Sequence, residues 1–388
     1  MKGRKMGQTC ERIICVDREP QEPWKLFFGD TGHFLRVDRV DYPVFRNLYE
    51  KAFADFWTWK VVDFKDDIIG WQKLPENAQS KFLKNNAYQT LMDGGVVNIY
   101  NYLAMIASNT ELALLYNYIA QNESIHAGSY SYGLSQMFGS QAKEKIDIVY
   151  VDKVVQERLA NEIDYSEELI EKIHKHAPID DEYKRTLLKV ITATYVLEHI
   201  KFPFSFFTTW RINEGYGNAI QGFSMLLKLI AEDELGTHVP SNMNVLKILK
   251  REERQEFKYL YDSGWYEEFF TNYVKTVVDQ EIKWCKYLFE DGPIDGFTED
   301  MGIHFIKVYA DKAVSRLGYS PIYKEQSSDV IDWYESYRKI NLQNTAQQEV
   351  SNVSYQKGTV RNDIQSSKEK IFDHASEMDQ FKQFLSGS

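Results

Sequence analysis

Glu123-Ser-Ile-His126, with Tyr130 one helical turn past the histidine, is the stretch on which the fold turns. On an α-helix, positions i and i+3 share a face, so Glu123 and His126 present one wall to a metal ion. Tyr130, at i+4 from His126, points to the same place. A second carboxylate and histidine pair lies downstream in Glu234-Leu-Gly-Thr-His238. Its i, i+4 spacing keeps both side chains on one face but carries the histidine about 40° past a full turn. One such pair is common. Two in a long helical chain point to a dinuclear metal site.

The surrounding sequence reads as all-α. Proline is scarce, nine in 388 residues, and none falls between Pro75 and Pro178, which leaves that stretch free to run in long helices. Apolar residues at Phe82, Leu83, Leu91, Met92, Val96, Val97, Tyr100 and Leu103 recur mostly every three or four positions, predicting a helix over about 76–107. Asn109-Thr110 offers a cap for a helix over 111–138, and beyond Gly139 a further helical stretch runs toward Ile173. Asp180 and Asp181 suit the first turn of a helix over 181–211, and Asn218 opens one over 218–238. From Glu252 to about Leu317 the pattern is again helical.

Four-helix bundles that hold two metals use one carboxylate from each of two helices and a Glu-x-x-His pair from each of the other two. The chain supplies that inventory. Asp93, in AYQTLMDGG, and Glu198, in TYVLEHIKF, each sit among apolar residues, where a charged side chain is costly unless paired or metal-bound. With Glu123, His126, Glu234 and His238 they make four carboxylates and two histidines on four helices. Oxygen-rich donors with one imidazole per metal suit iron or manganese better than structural zinc. Taken singly, each residue also fits a satisfied core histidine or an ordinary buried ion pair; the joint occurrence carries the reading. His174 and His176 lie in a polar loop, and His33, His304 and His374 have no carboxylate helix around them. His199 faces about 100° away from the ligand face.

Composition narrows the function. A net charge of -11 and a pI near 5.4 argue against nucleic acid as the main partner, since phosphate binding relies on clustered cations. Cys10, Cys15 and Cys285 are too few and too poorly spaced for a disulfide framework, which fits a reducing, cytoplasmic setting. No run approaches the roughly 20 apolar residues needed to span a bilayer. With 25 Tyr, 23 Phe and 8 Trp, the core is expected to be rich in large rings. From about Gln343 the chain turns polar and aperiodic, dividing it into a helical domain over 1–342 and a mobile tail over 343–388. Val350, Val353, Tyr355, Phe381 and Phe384 are isolated apolar residues of the kind that anchor a docking tail.

At these residues the chain resembles the radical-generating beta subunit of class I ribonucleotide reductase, over most of its length from about Trp57 to Tyr355. Trp57 followed by LPENAQSKFLKNNAYQTLMD is similar to the family's relay tryptophan and aspartate ligand, Asp93. ESIHAGSY is similar to its ligands Glu123 and His126 and its radical tyrosine, Tyr130. LEHIKFPFSF is similar to the third carboxylate segment, with Glu198 as ligand and Phe202 and Phe206 lining the radical. LIAEDELGTH resembles the last ligand segment, which implies Glu234 and His238 as ligands of the second metal and Asp233 as the residue that orients His126 and Trp57. EVSNVSYQKG resembles the relay segment, with Tyr355 as tail tyrosine and Glu349 beside it.

The resemblance implies a ferritin-like bundle that forms a homodimer. It implies a dinuclear cofactor, Fe/Fe first with Mn/Mn or Mn/Fe as alternatives, that is activated by O2 or another oxidant. The stored radical then passes through Trp57 and Tyr355 to a catalytic alpha subunit on which the tail docks. Phe202, Phe206 and Ile230 would shield the radical from water.

The chain departs from the family at its last pair, normally Glu-x-x-His. Either His238 reaches from i+4 with an altered rotamer, or a π-bulge absorbs the extra residue; the bulge is favoured, with Gly236 and Pro240 assisting. Gly94-Gly95 is costly in a helix and is expected to give a neighbouring helix or an oxygen path room to approach. A desaturase or ligand-binding oxidase of the same bundle would keep the ligands without needing Tyr130, Trp57 and Tyr355 together. An iron-storage or structural helical protein would need neither the tail nor its tyrosine.

Overall fold

The computed structural model describes residues 25–29, 40–147 and 152–339. Glu349, Tyr355, the tail over 343–388, Cys10, Cys15, His33 and His374 lie outside these residues. The described part is helical, with two isolated bridges and no β-strand among its residues. None of its helices is long and apolar enough to cross a membrane.

Two short helices, α1 (Pro43–Ala54) and α2 (Lys65–Trp71), lead into the longest pair, α3 (Glu76–Ile106) and α4 (Thr110–Phe138). Asn109 caps α4 by accepting from the Leu112 amide, and the short link makes α3 and α4 antiparallel neighbours. The stretch after Gly139 is not one helix. Gly139 takes a positive φ of 54°, closing α4, and the chain then runs through α5 (Ala142–Ile146), α6 (Lys153–Glu157) and α7 (Ala160–His174). Asp152 starts α6 by accepting from the Val154 and Val155 amides.

The two helices expected to carry Glu198 and the Glu234–His238 pair each contain an interruption. α8 (Asp181–Val196) continues through a π turn, π1 (Leu197–Lys201), into α9 (Phe202–Gly215). α10 (Gln221–Asp233) continues through π2 (Glu234–His238) into α11 (Val239–Arg251). Asn218 does not open α10: it holds φ at 60° in the connecting turn and accepts from Asn213 Nδ2 at 3.2 Å. Asparagine tolerates the left-handed region about as readily as it caps helices, so the sequence signal serves either role. The 252–317 stretch divides into α12 (Lys258–Asp262), α13 (Trp265–Phe289) and α14 (Glu299–Arg316), and α15 (Asp329–Tyr337) follows.

The aromatic core is present as expected. Phe207 stacks on Phe305 with centroids 4.5 Å apart, and Trp210 and Trp284 are fully buried. Gly94 and Gly95 do not admit a neighbouring helix of the described chain: both are exposed, and a Cβ at either would meet nothing within 4 Å.

Candidate metal centre

α3 contributes Asp93, α4 contributes Glu123 and His126, π1 contributes Glu198, and π2 contributes Glu234 and His238. All six are completely buried. Their ligand atoms form two groups that share Glu123: Asp93, Glu123 and His126 in one, and Glu123, Glu198, Glu234 and His238 in the other.

The spacing within the groups places two carboxylates between two imidazoles. Glu234 Oε1 lies 2.9 Å from His126 Nδ1, and its Oε2 lies 2.7 Å from His238 Nδ1. Glu123 Oε2 and Oε1 lie 3.5 Å and 3.1 Å from the same two nitrogens. Asp93 stands at the His126 end, with Oδ2 3.9 Å from His126 Nδ1. Glu234 is thus not confined to the second position; it faces both.

These atoms approach without hydrogen-bond geometry. Both oxygens of Asp93, Glu123, Glu198 and Glu234, and the Nδ1 atoms of both histidines, have no hydrogen-bond partner. Buried polar groups are nearly always paired, so this many orphans converging on common points is the signature of cation ligands. The charge agrees, because four carboxylates balance two divalent cations.

Ionisation without a cation is correspondingly distorted. Burial, reinforced by the neighbouring Glu123, raises the Asp93 carboxyl well above the usual range; burial with Glu234 nearby does the same to Glu198. Burial would raise Glu234 as well, but the His238 and His126 imidazoles outweigh it and hold that carboxyl well below its usual value. For His238, burial would lower the pKa, yet Glu234 and Glu123 push it up to about 10.

Behind His126, a hydrogen-bonded string leads away from the site. Asp233 Oδ2 lies 3.1 Å from His126 Nε2 and accepts from Trp57 Nε1 at 2.7 Å. This leaves His126 Nδ1 toward the carboxylates. The Trp57 indole lies nearly parallel to the His126 ring, centroids 5.9 Å apart. Tyr130 is fully buried and its hydroxyl lacks a partner at bonding geometry. Burial, with the Asp93 carboxylate nearby, raises its pKa well above 10. Phe202, Phe206 and Ile230 are fully buried, the two phenylalanines stacked at 5.8 Å.

His199 is outside the cluster, against Tyr195 and Tyr309. His174 pairs with Tyr102, and His304 with Glu325 and Ser328. At π2 the Val239 amide donates to the Glu234 carbonyl, five residues back, which is the bulge expected from the extra residue. Sequence reasoning missed π1, where the Phe202 amide donates to the Leu197 carbonyl in the same way. A signal existed: Pro203 and Pro240 each stand two residues past a π turn, removing the amide that would otherwise extend either hydrogen-bond register. Also missed was a buried ion-pair cluster of Arg158, Glu162, Lys201 and Glu281.

Long helices converging four carboxylates and two imidazoles on shared points define a ferritin-like bundle with a candidate site for two metal ions. Residues 36–330 match the family described as ribonucleotide reductase, small chain, and the chain belongs to that family. The ribonucleoside-diphosphate reductase beta subunit of Buchnera aphidicola subsp. Baizongia pistaciae is 28% identical over 360 residues, covering 88% of this chain and 94% of the relative. The beta subunit of Enterobacteria phage T4 is 23% identical over 364 residues, covering 87% and 93%. Among solved structures, the R2 subunit from Clostridium botulinum superposes with a TM-score of 0.76 at 21% identity, covering 86% of this chain and 100% of that one. Streptococcus sanguinis dimanganese(II)-NrdF gives 0.61 at 19% identity, covering 79% and 98%.

Proposed function

We propose that this ribonucleotide reductase small subunit stores a radical on Tyr130 and delivers it through Trp57 and Tyr355 to a catalytic alpha subunit that reduces ribonucleotides. The observation that carries the reading is Tyr130 itself, fully buried with a partnerless hydroxyl beside the six orphaned ligand residues. A reduced metal pair, if held by these residues, would supply with O2 or another oxidant the one-electron oxidising power that Tyr130 needs. Iron in both positions is the first choice; two manganese ions, or one of each, suit the same donors.

The chain's own residues do the rest. Asp93, Glu123, His126, Glu198, Glu234 and His238 would hold the two ions, Asp93 and His126 toward one, Glu198 and His238 toward the other, with Glu123 and Glu234 available to both. Because burial makes the Tyr130 phenolate unfavourable, its electron leaves together with the hydroxyl proton, and the Asp93 carboxylate stands beside it as acceptor. Phe202, Phe206 and Ile230 exclude water from the radical. Asp233 holds His126 and Trp57 in one string, so it can take the indole proton when Trp57 gives up an electron. Glu349 and Tyr355 belong to the tail over 343–388, whose roles in docking on the alpha subunit and in relay rest on the family resemblance. The protein works as a cytoplasmic homodimer.

Loaded with Fe(II) and exposed to O2, the wild-type chain is expected to give a tyrosyl signal in electron paramagnetic resonance, and Tyr130→Phe to abolish it. The same signal in the variant would refute the assignment.

A further inference from the structure

We infer that Arg158, Glu162, Lys201 and Glu281 form a buried clamp of positioning residues that sets the π1 turn and so holds Glu198 in register opposite Glu234 and His238. The inference rests on the two-metal reading and adds what fixes one half of the site.

Arg158, between α6 and α7, donates from Nε and Nη2 to the two oxygens of Glu281 on α13, each at 2.6 Å. Nη2 also reaches the Lys201 carbonyl at 3.3 Å and Ser205 Oγ at 3.4 Å. Lys201, the last residue of π1, answers with Nζ 2.7 Å from the Arg158 carbonyl and 2.7 Å from Glu162 Oε1 on α7. Tyr273 donates to the same Glu162 oxygen at 2.9 Å. The guanidinium lies 3.5 Å from the ring centroid of Tyr88 on α3 and 4.6 Å from that of Trp284. None of the four charged residues is more than 2% exposed.

Two cations and two anions cancel, so the cluster carries no net charge. Buried ion pairs of this kind often add little stability over apolar packing of the same volume. What this one does is local: it grips Lys201 by both its carbonyl and its ammonium group. Asn85 of α3 adds a bond from Nδ2 to the Ser205 carbonyl at 2.7 Å. A π turn is a sparsely populated arrangement that persists where its surroundings over-determine it. Slipping π1 back by one residue into α-helical register would swing Glu198 by about 100°. Three other helices and the α6–α7 junction therefore hold the end of the segment whose start carries the ligand. Among the described residues, no lysine or arginine ion pair reaches Glu234–His238.

The test is Mn(II) binding by the full chain, read by stoichiometry and by electron paramagnetic resonance, in Lys201→Met/Glu162→Gln, which removes one charge of each sign. The folded variant is expected to bind its second Mn(II) about 10- to 100-fold more weakly, the range for losing a partner that orients a ligand, while the first ion is held within about threefold. The spectrum of a coupled pair should give way to that of isolated Mn(II), and Lys201→Arg should retain the coupled spectrum. Unchanged affinity for both ions, or equal weakening of both, overturns the clamp. Wild-type protein that takes up no Mn(II) overturns the metal reading itself and the clamp with it. Should the double variant not fold, Glu162→Gln alone is measured, with weakening confined to the second ion expected and no change overturning the proposal.

Discussion

Leu197–Lys201 and Glu234–His238 each interrupt a long helix, each brings a buried carboxylate to the proposed metal site, and each is followed two residues later by a proline. They are held differently. π1 carries one ligand and is gripped at its far end by ion pairs from other helices. π2 carries two ligands and begins directly after Asp233, which bonds Trp57 and His126, while Ser241 Oγ donates to the His238 carbonyl at 2.8 Å. A turn that must aim two donors, i and i+4, at one site is fixed by the site and by its hydrogen bonds. A turn with a single donor needs outside restraint.

The difference should be largest when each carboxylate is removed. Glu234 has one oxygen toward each histidine, whereas Glu198 groups only with the His238 side. Glu234→Ala is therefore expected to abolish tight binding of both ions, and Glu198→Ala to leave one ion per chain. Each loss should exceed the ~10- to 100-fold associated with orienting partners. Metal analysis after gel filtration checks this, and one ion retained by both variants would break the asymmetry.

A smaller effect concerns the metal-free protein. The raised pKa of His238 means that the folded state holds a proton the unfolded chain releases. Its stabilising contribution is complete below the unfolded value of 6.5 and is lost as pH rises toward about 10. Asp93 and Glu198, also raised, lose stability in the same direction. Glu234, lowered, contributes fully above its unfolded value of 4.5 and loses that contribution as pH falls below it. The melting temperature of the metal-free chain should fall between pH 6.5 and 10, while metal binding, which takes deprotonated ligands, should remove the decline. Calorimetry across that window decides it; a flat or rising metal-free curve would contradict the protonated His238–Glu234 pair.

What was legible in the sequence follows the same divide. Of the six proposed ligands, Asp93 and Glu198 stood out as polar groups among apolar neighbours, and the other four as carboxylate and histidine pairs at helical spacing; π2 announced itself through a spacing one residue too long. π1 gave no such anomaly, since Glu198 has no second ligand in its own turn to be displaced. Only the repeated proline offset marked it. Arg158 and Glu281 meet across 123 positions of sequence, and a lone charge on an amphipathic helix reads as solvated. Trp57 and Asp233 came from family resemblance, because no periodicity joins an indole to a carboxylate 176 residues away. The helix ends went astray where one residue type serves two local structures, as with Asn218.

The smallest expected effect tests whether π2 depends on glycine. Gly236 lies inside the turn but is not among the glycines with positive φ, so alanine can adopt its backbone. An added Cβ would meet Lys51 Nζ at 2.9 Å, the far end of a flexible, solvent-exposed side chain whose ion pair with Asp55, at 3.1 Å, can shift with it. The higher helical propensity of alanine, about 0.5–1 kcal/mol, then works against a small adjustment of Lys51. Gly236→Ala should change stability by less than ~1 kcal/mol in chemical denaturation and leave the metal stoichiometry intact. If it instead removes a metal ion, π2 draws its shape from local backbone freedom and not from Asp233 and the ligands. The two turns would then differ for a reason internal to their sequences.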